Sequence, residues 1–319
     1  MSAKTARPQG IFSHPYLLLT LTTLFWGANA VAGKIASGYI PPLTLTALRW
    51  ICASSILFFM ARPLLRGAIP ILRRRWRYIF LCGAMGFGMF NFCLYGALNY
   101  TSAINTSIEQ AGTPMIIMLL TYIFYREPIT LLQGIGVFIS MIGVLITVVH
   151  GDLSVLLSLD LNRGDAIMVA AVLVYSAYSV ALRHKPDLPW QVFMFGLALS
   201  AAIFALPGMA YEMASGRYPA ASWVTPGIMI FVVIFPSLMS QAFYVRAVGM
   251  IGANRAGQFF NLVPVFGAAL AILILGEKFQ LYHAVGLCMV IGGIAPTSAA
   301  AALRAGVNRA QTEPRPIHP

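Results

Sequence analysis

The residues here that could do chemistry sit inside apolar stretches and recur at helical spacing. Thr22, Trp26, Asn29 and Gly33 follow one another four, three and four residues apart. Asn91, Tyr95 and Asn99 recur every fourth residue, as do Asn105, Glu109 and Thr113, with Thr106 and Gln110 beside them. Tyr175, Tyr178 and Ser179 cluster; Ser237, Gln241 and Tyr244 form a fifth stripe, and Asn254, Gln258 and Asn261 a sixth. Each set falls on one helix face. An unpaired polar group in hydrocarbon costs several kcal/mol, so polar faces mark where lipid is absent. The chemistry these stripes suggest is recognition of an organic solute in a wet cavity. Trp26, Tyr95, Tyr175, Tyr178 and Tyr244 would supply apolar ring faces with one polar handle each. The bland alternative is hydrogen bonding that only ties helices together.

Glu109 reads as the one acid deep inside a stretch. An intramembrane ionisable group is a functional candidate, here as a proton carrier or a site for a substrate amine. It could instead be a structural partner for Arg49 or for helix amides. Arg49 is expected to snorkel outward or pair within the bundle, with a substrate-carboxylate role as a third option. Glu127 and Glu277 read as helix-start caps. Catalysis would require a nucleophile–base pair, paired acids or a ligand cluster. No HExxH and no GxxxxGK[ST] occurs, and Cys52, Cys82, Cys93 and Cys288 show no CxxC spacing. The reading is therefore not an enzyme, with no metal and no cofactor. The expected partners are a small-molecule substrate and the lipid bilayer, not nucleic acid, with the chain as monomer or homodimer.

These residues need long apolar elements to hold them. The chain is 59% hydrophobic and 9% charged, against about 25% charged in soluble domains. That composition excludes a soluble globular protein. Ten apolar stretches, near 16–36, 44–61, 78–98, 104–124, 129–149, 166–182, 190–210, 226–245, 256–275 and 280–298, each approach the ~20 residues that a helix needs to cross a bilayer. They are continuously apolar, which argues against a barrel. The net charge of +12 is distributed by topology. With the loop 62–77 and its six arginines on the cytoplasmic side, 16 basic residues fall inside and four (Lys34, Arg163, Arg217 and Lys278) outside. This bias predicts both termini cytoplasmic in a bacterial-type inner membrane.

Residues 84–147 also align with 234–297 at a constant offset of 150. Pro114 meets Pro264, Glu127 meets Glu277, Gly136 meets Gly286 and Gly143 meets Gly293. Each half holds an odd number of stretches, so the halves would be inverted relative to one another. The expected fold is an all-α membrane protein: ten transmembrane helices as two inverted five-helix repeats. Repeat 1 is placed at 15–149 and repeat 2 at 165–298, between tails at 1–14 and 299–319. The polar stripes lie on helices 1, 3, 4, 6, 8 and 9, leaving 2, 5, 7 and 10 as scaffold. Pro114 and Pro264 are candidate hinges, because a mid-helix proline removes a hydrogen bond and kinks the helix. Gly136, Ser140, Gly143 and Thr147 share a small-residue face suited to close helix packing.

Phe25-Trp26-Gly27 with Lys34, Pro41-Pro42 and Ala47-Leu48-Arg49 resembles the opening of an EamA domain of the drug/metabolite transporter superfamily. Pro114, Glu127 and the Gly136/Gly143 pair resemble that domain's end, and Pro264, Glu277, Gly286 and Gly293 the end of a second copy. The second copy departs from the pattern at Ser176-Ala177 and His184. The resemblance implies a ten-helix inner-membrane permease exporting small metabolites such as amino acids, with exporters of the YddG type among its members. It implies a pocket formed by helices 1, 3, 4, 6, 8 and 9. The substrate-binding set expected from stripes and resemblance together is Trp26, Asn29, Asn91, Tyr95, Glu109, Thr113, Tyr175, Tyr178, Gln241, Tyr244, Gln258 and Asn261.

Overall fold

A computed structural model describes residues 14–126, 131–152, 162–251 and 258–293. Among these residues every element is helical. In chain order the α-helices are α1 (Pro15–Ala36), α2 (Pro42–Gly83), α3 (Phe90–Ala97), α4 (Ala103–Gln110), α5 (Thr113–Tyr125), α6 (Leu131–Val148), α7 (Arg163–Ala181), α8 (Trp190–Ala214), α9 (Val224–Val232), α10 (Ser240–Ile251), α11 (Leu262–Leu270) and α12 (Leu281–Gly293). Several are apolar enough and long enough to cross a membrane. Large side chains such as Phe59, Phe124, Phe138, Leu273 and Leu281 point outward, which is stable only against lipid. This is a multi-pass membrane protein.

The segment 62–77, expected as a loop, is helical throughout. Arginine, leucine and alanine favour helix, and all six of its arginines are exposed. The helix nevertheless doubles back. Trp50 and Phe87 would lie about 55 Å apart along a straight helix; instead their rings stack at 4.6 Å. Pro63 and Pro70 lie within α2 between them, where each deletes a ladder hydrogen bond and permits a bend. Residues 42–97 therefore form two antiparallel arms. α8 lies along both: Gly208 meets Leu43 on the first arm, and Gly83 of the second meets the Leu197 backbone.

The other contacts exchange partners between the halves. α1 packs on α10 and α11, whereas α7 packs on α3, α4 and α5. The small face of α6 meets α12: the Ser140 hydroxyl donates to the Val290 carbonyl at 3.2 Å. Gly143 sits against Gly286, and Gly136 against Gly293. Under the 150-residue offset each of these glycine contacts is the image of the other.

Three departures from straight helices bear on the site. The chain leaves helix at Ala111–Gly112, and Pro114 opens α5 beyond that break. It therefore starts a segment, where its fixed φ fits, instead of kinking a continuous helix. Pro264 likewise stands near the start of α11, after a 3-10 turn at Gln258–Asn261. Wider π turns occupy Ala84–Met89 and Val233–Met239, equivalent under the offset. In the second, the Ser237 hydroxyl, and just after it the Ser240 hydroxyl, donate to carbonyls five residues back, at 2.6 and 2.9 Å.

Candidate functional site: a cavity around Arg49

The helix breaks and π turns converge on a cavity of about 820 Å³ of empty space, its mouth included. Trp26 and Asn29 reach it from α1, Phe90 and Asn91 from α3, Thr113 and Pro114 from α5, Tyr175 from α7 and Gln241 from α10. Gly86 and Phe87 come from the first π turn, Pro236 from the second, Phe260 from the 3-10 turn and Val263 from α11. The six stretches expected to line a cavity thus all contribute. So does a seventh: Arg49 and Trp50 on the first arm of α2 also face it, which corrects the reading of that arm as scaffold. Its polar groups lie one residue apart, so no helical stripe marked them.

Arg49 sets the electrostatics. It is only 4% exposed, so it pairs within the bundle and does not snorkel. Its Nε donates to the Ser237 hydroxyl at 2.7 Å. Its Nη1 donates to Asn29 Oδ1 at 3.0 Å, to Asn91 Oδ1 at 2.8 Å and to the Tyr95 hydroxyl. Those acceptors are themselves oriented. Asn91 Nδ2 donates to the Phe87 carbonyl at 2.7 Å, which turns Oδ1 toward the guanidinium. The Tyr95 hydroxyl donates to Asn29 Oδ1 at 2.9 Å. The Trp50 indole donates to the same Phe87 carbonyl at 3.0 Å and lies under the guanidinium carbon, 5.0 Å from ring centroid to Cζ. A buried charge needs such partners. All four hydrogen-bond partners are neutral, and among the described residues no carboxylate is within ion-pair distance of Arg49.

The expected substrate residues divide. Trp26, Asn29, Asn91, Thr113, Tyr175 and Gln241 line the cavity. Tyr95 stands behind it, buried, holding Arg49 and Asn29. Tyr178 is also buried, with its ring beneath Gly86 and edge-on to Phe87. Tyr244 backs the wall through ring contacts with Trp26 and Phe260 at 5.8 and 5.4 Å. Gln258 and Asn261 belong to the 3-10 turn, but their side chains, like Asn254 and Glu127, lie outside the described residues.

Glu109 departs most from expectation. It is 1% exposed yet is not among the cavity-lining residues. Neither Arg49 nor a helix amide partners it: among the described residues no donor reaches either carboxyl oxygen. Its neighbour is the Asp165 carboxyl at the start of α7. Asp165 accepts from the Thr101 hydroxyl and pairs with His150 Nε2 at 3.2 Å. Asn105 bridges His150 and His283, at 2.9 Å to each Nε2. Nor is Glu109 the sole deep acid, since Asp165 and Glu212 are equally buried. Both lie near helix ends in the chain, and neighbouring helices cover them. Glu212 accepts the Thr44 amide at 2.8 Å, capping α2. Glu277 also caps a helix, but α4 and not its own.

A helical membrane bundle with a polar, aromatic-walled cavity fits the class of multi-pass membrane transporters. The model of the EamA-like transporter family matches residues 14–149 and again 162–299. The chain belongs to that family. It is 23% identical over 287 residues to the uncharacterized transporter YyaM of Bacillus subtilis (strain 168), covering 89% of this chain and 93% of that one. It is 25% identical over 281 residues to the uncharacterized transporter YetK of the same organism, covering 88% and 85%. A solved crystal structure shares the fold, with TM-score 0.60 and 19% identity, covering 90% of this chain and 97% of that one.

Proposed function

We propose that the chain is a secondary transporter that exports small organic metabolites, amino acids among the candidates, across a bacterial-type inner membrane by alternating access. The reading takes the fold as ten crossings in two inverted repeats, 15–149 and 165–298, with both termini cytoplasmic. The reciprocal contacts of Gly143 with Gly286 and Gly136 with Gly293 support it, as do the paired π turns. The observation that carries the proposal is the cavity itself. It draws walls from both copies of the family domain, so rocking one copy against the other would open it to each face in turn. The chain breaks before Pro114 and Pro264 are the proposed hinges. Of the twelve residues expected from the sequence, Trp26, Asn29, Asn91, Thr113, Tyr175 and Gln241 are the proposed substrate contacts, joined by Arg49; Tyr95, Tyr178 and Tyr244 back them, and Glu109 stands outside the wall.

Coupling to protons through Glu109 is the second reading, favoured by a buried carboxyl with no donor beside another carboxyl. An uncoupled facilitator is the alternative. Both are tested with purified protein in liposomes. Saturable flux accelerated by the same solute on the far side is expected of a carrier, and flux driven by a pH gradient adds proton coupling. Flux that rises linearly without saturation would overturn the carrier reading.

A further inference from the structure

We infer that Arg49 is the anchor for one negatively charged group of the transported solute, and that the solute is a small organic oxyanion, such as a carboxylate, with a flat apolar body. The inference rests on the transporter reading above and names its substrate class.

Among the described residues the cavity wall carries one cation and no acid. The buried acids are turned elsewhere. Asp165 is held by Thr101 and His150, Glu212 by the start of α2, and Glu277 by the start of α4. Glu109 is not among the lining residues. Four neutral side chains orient Arg49, but they cannot cancel its charge. Removing a charge from water costs several kcal/mol, which neutral hydrogen bonds offset only in part. An incoming anion completes the compensation. Guanidinium also presents its N–H groups as a fork, matched to two oxygens of one oxyanion. The hydrogen bonds to protein use Nε and Nη1. Among the described residues Nη2 has no such bond, and Arg49 is one of the residues that line the cavity.

The remaining wall selects the body of the solute. Trp26, Trp50, Phe87, Phe90, Tyr175 and Phe260 offer ring surface, which favours flat apolar groups. A fixed positive charge with no facing acid disfavours cationic solutes, so discrimination comes from repulsion as well as attraction.

The test uses the full-length protein, purified for thermal-shift titration and reconstituted in liposomes for counterflow. The probes are matched sets on one body: phenylacetate, phenylacetamide and phenethylamine; phenylalanine and its amide; and aliphatic acids with their amides and amines. Every solute that binds and exchanges is expected to carry the acid group, with the amide at least tenfold weaker and the amine without effect. Arg49→Gln should abolish the preference for the acid, and Arg49→Lys should keep it at reduced affinity. If Arg49→Gln does not fold, the acid-to-amide ratio on the unaltered protein still decides. Saturable exchange of amides or amines at the acid's affinity would overturn the anion inference and leave the transporter reading standing. No saturable exchange of any probe, whatever its charge, would sink both.

Discussion

Glu277 and Ala103 stand 174 residues apart in the chain and are joined by a 2.8 Å hydrogen bond from the Ala103 amide to the Glu277 carboxylate. The second carboxylate oxygen takes the Ile104 amide at 3.0 Å. One side chain in the second family domain thus satisfies two free amides at the start of a helix in the first, and its charge lies at the positive end of that helix dipole. Loss of a cap costs about 1 kcal/mol, and the charge adds roughly 0.5. Glu277→Ala is therefore expected to lower the thermal midpoint more than Glu277→Gln, which keeps an acceptor. Solute affinity at Arg49 should change by less than about threefold, because the cap lies outside the cavity. Equal midpoints for both variants and the parent would show that the cap is not stabilising.

Glu109 separates binding from coupling. It is not a lining residue, and it lies against Asp165. Glu109→Gln is expected to leave counterflow of the solute within about threefold of the parent, while uphill flux driven by a pH gradient disappears. Asp165→Asn should weaken the same gradient-driven flux, and His150→Gln should slow it, since His150 is the partly exposed member of the chain that reaches Asp165. Gradient-driven flux surviving in Glu109→Gln would leave the facilitator reading in place.

How much of this was legible in the sequence depends on what the signal measured. Helical polar stripes report where lipid is absent, and they found Trp26, Asn29, Asn91, Thr113, Tyr175 and Gln241, all on the cavity wall. The same stripes could not tell wall from backing. Tyr95 and Tyr178 share faces with lining residues but lie one layer deeper, where periodicity has no resolution. Arg49 stood alone in an apolar stretch, so no spacing argument ranked it above its neighbours. Its importance comes from Asn29, Asn91, Tyr95 and Ser237 converging from three other elements. The π turns were invisible for a similar reason. An extra residue per turn leaves composition unchanged, and only Pro236 hints at the second. The helical character of 62–77 was masked by its charges, which were read for topology instead of helix propensity.

The doubling back of residues 42–97 fixes which ends share a membrane face. In a cysteine-less background, single cysteines at Arg74 and Tyr218 are expected to react with impermeant maleimide from opposite sides. Arg74 lies just past the bend in α2, and Tyr218 just past the end of α8, which spans the distance between them; both are exposed. A cysteine at Arg66 should label from the same side as Arg74. Labelling of Arg66 and Arg74 from opposite faces would mean that α2 does not reverse between its two prolines.

The glycine contacts between α6 and α12 allow a stability test with its own control. A Cβ on Gly143 would lie 2.8 Å from the Gly286 carbonyl, with backbone and packed side chains around it. Backbone cannot yield as a flexible side chain can, so the two helices would have to separate. Overpacking of this kind costs ~1–3 kcal/mol, and in lipid the close contact is itself the main attraction between helices. Gly134, one helix face away, has nothing within 4 Å of such an atom. Gly143→Val should therefore lower the thermal midpoint by several degrees and reduce flux, while Gly134→Val stays within about 0.5 kcal/mol of the parent. Midpoints measured in detergent and flux measured in liposomes should fall together for Gly143→Val, because a separated α6 and α12 no longer hold the two family domains in register. A parent-like midpoint for Gly143→Val would remove this contact from the set that joins the halves.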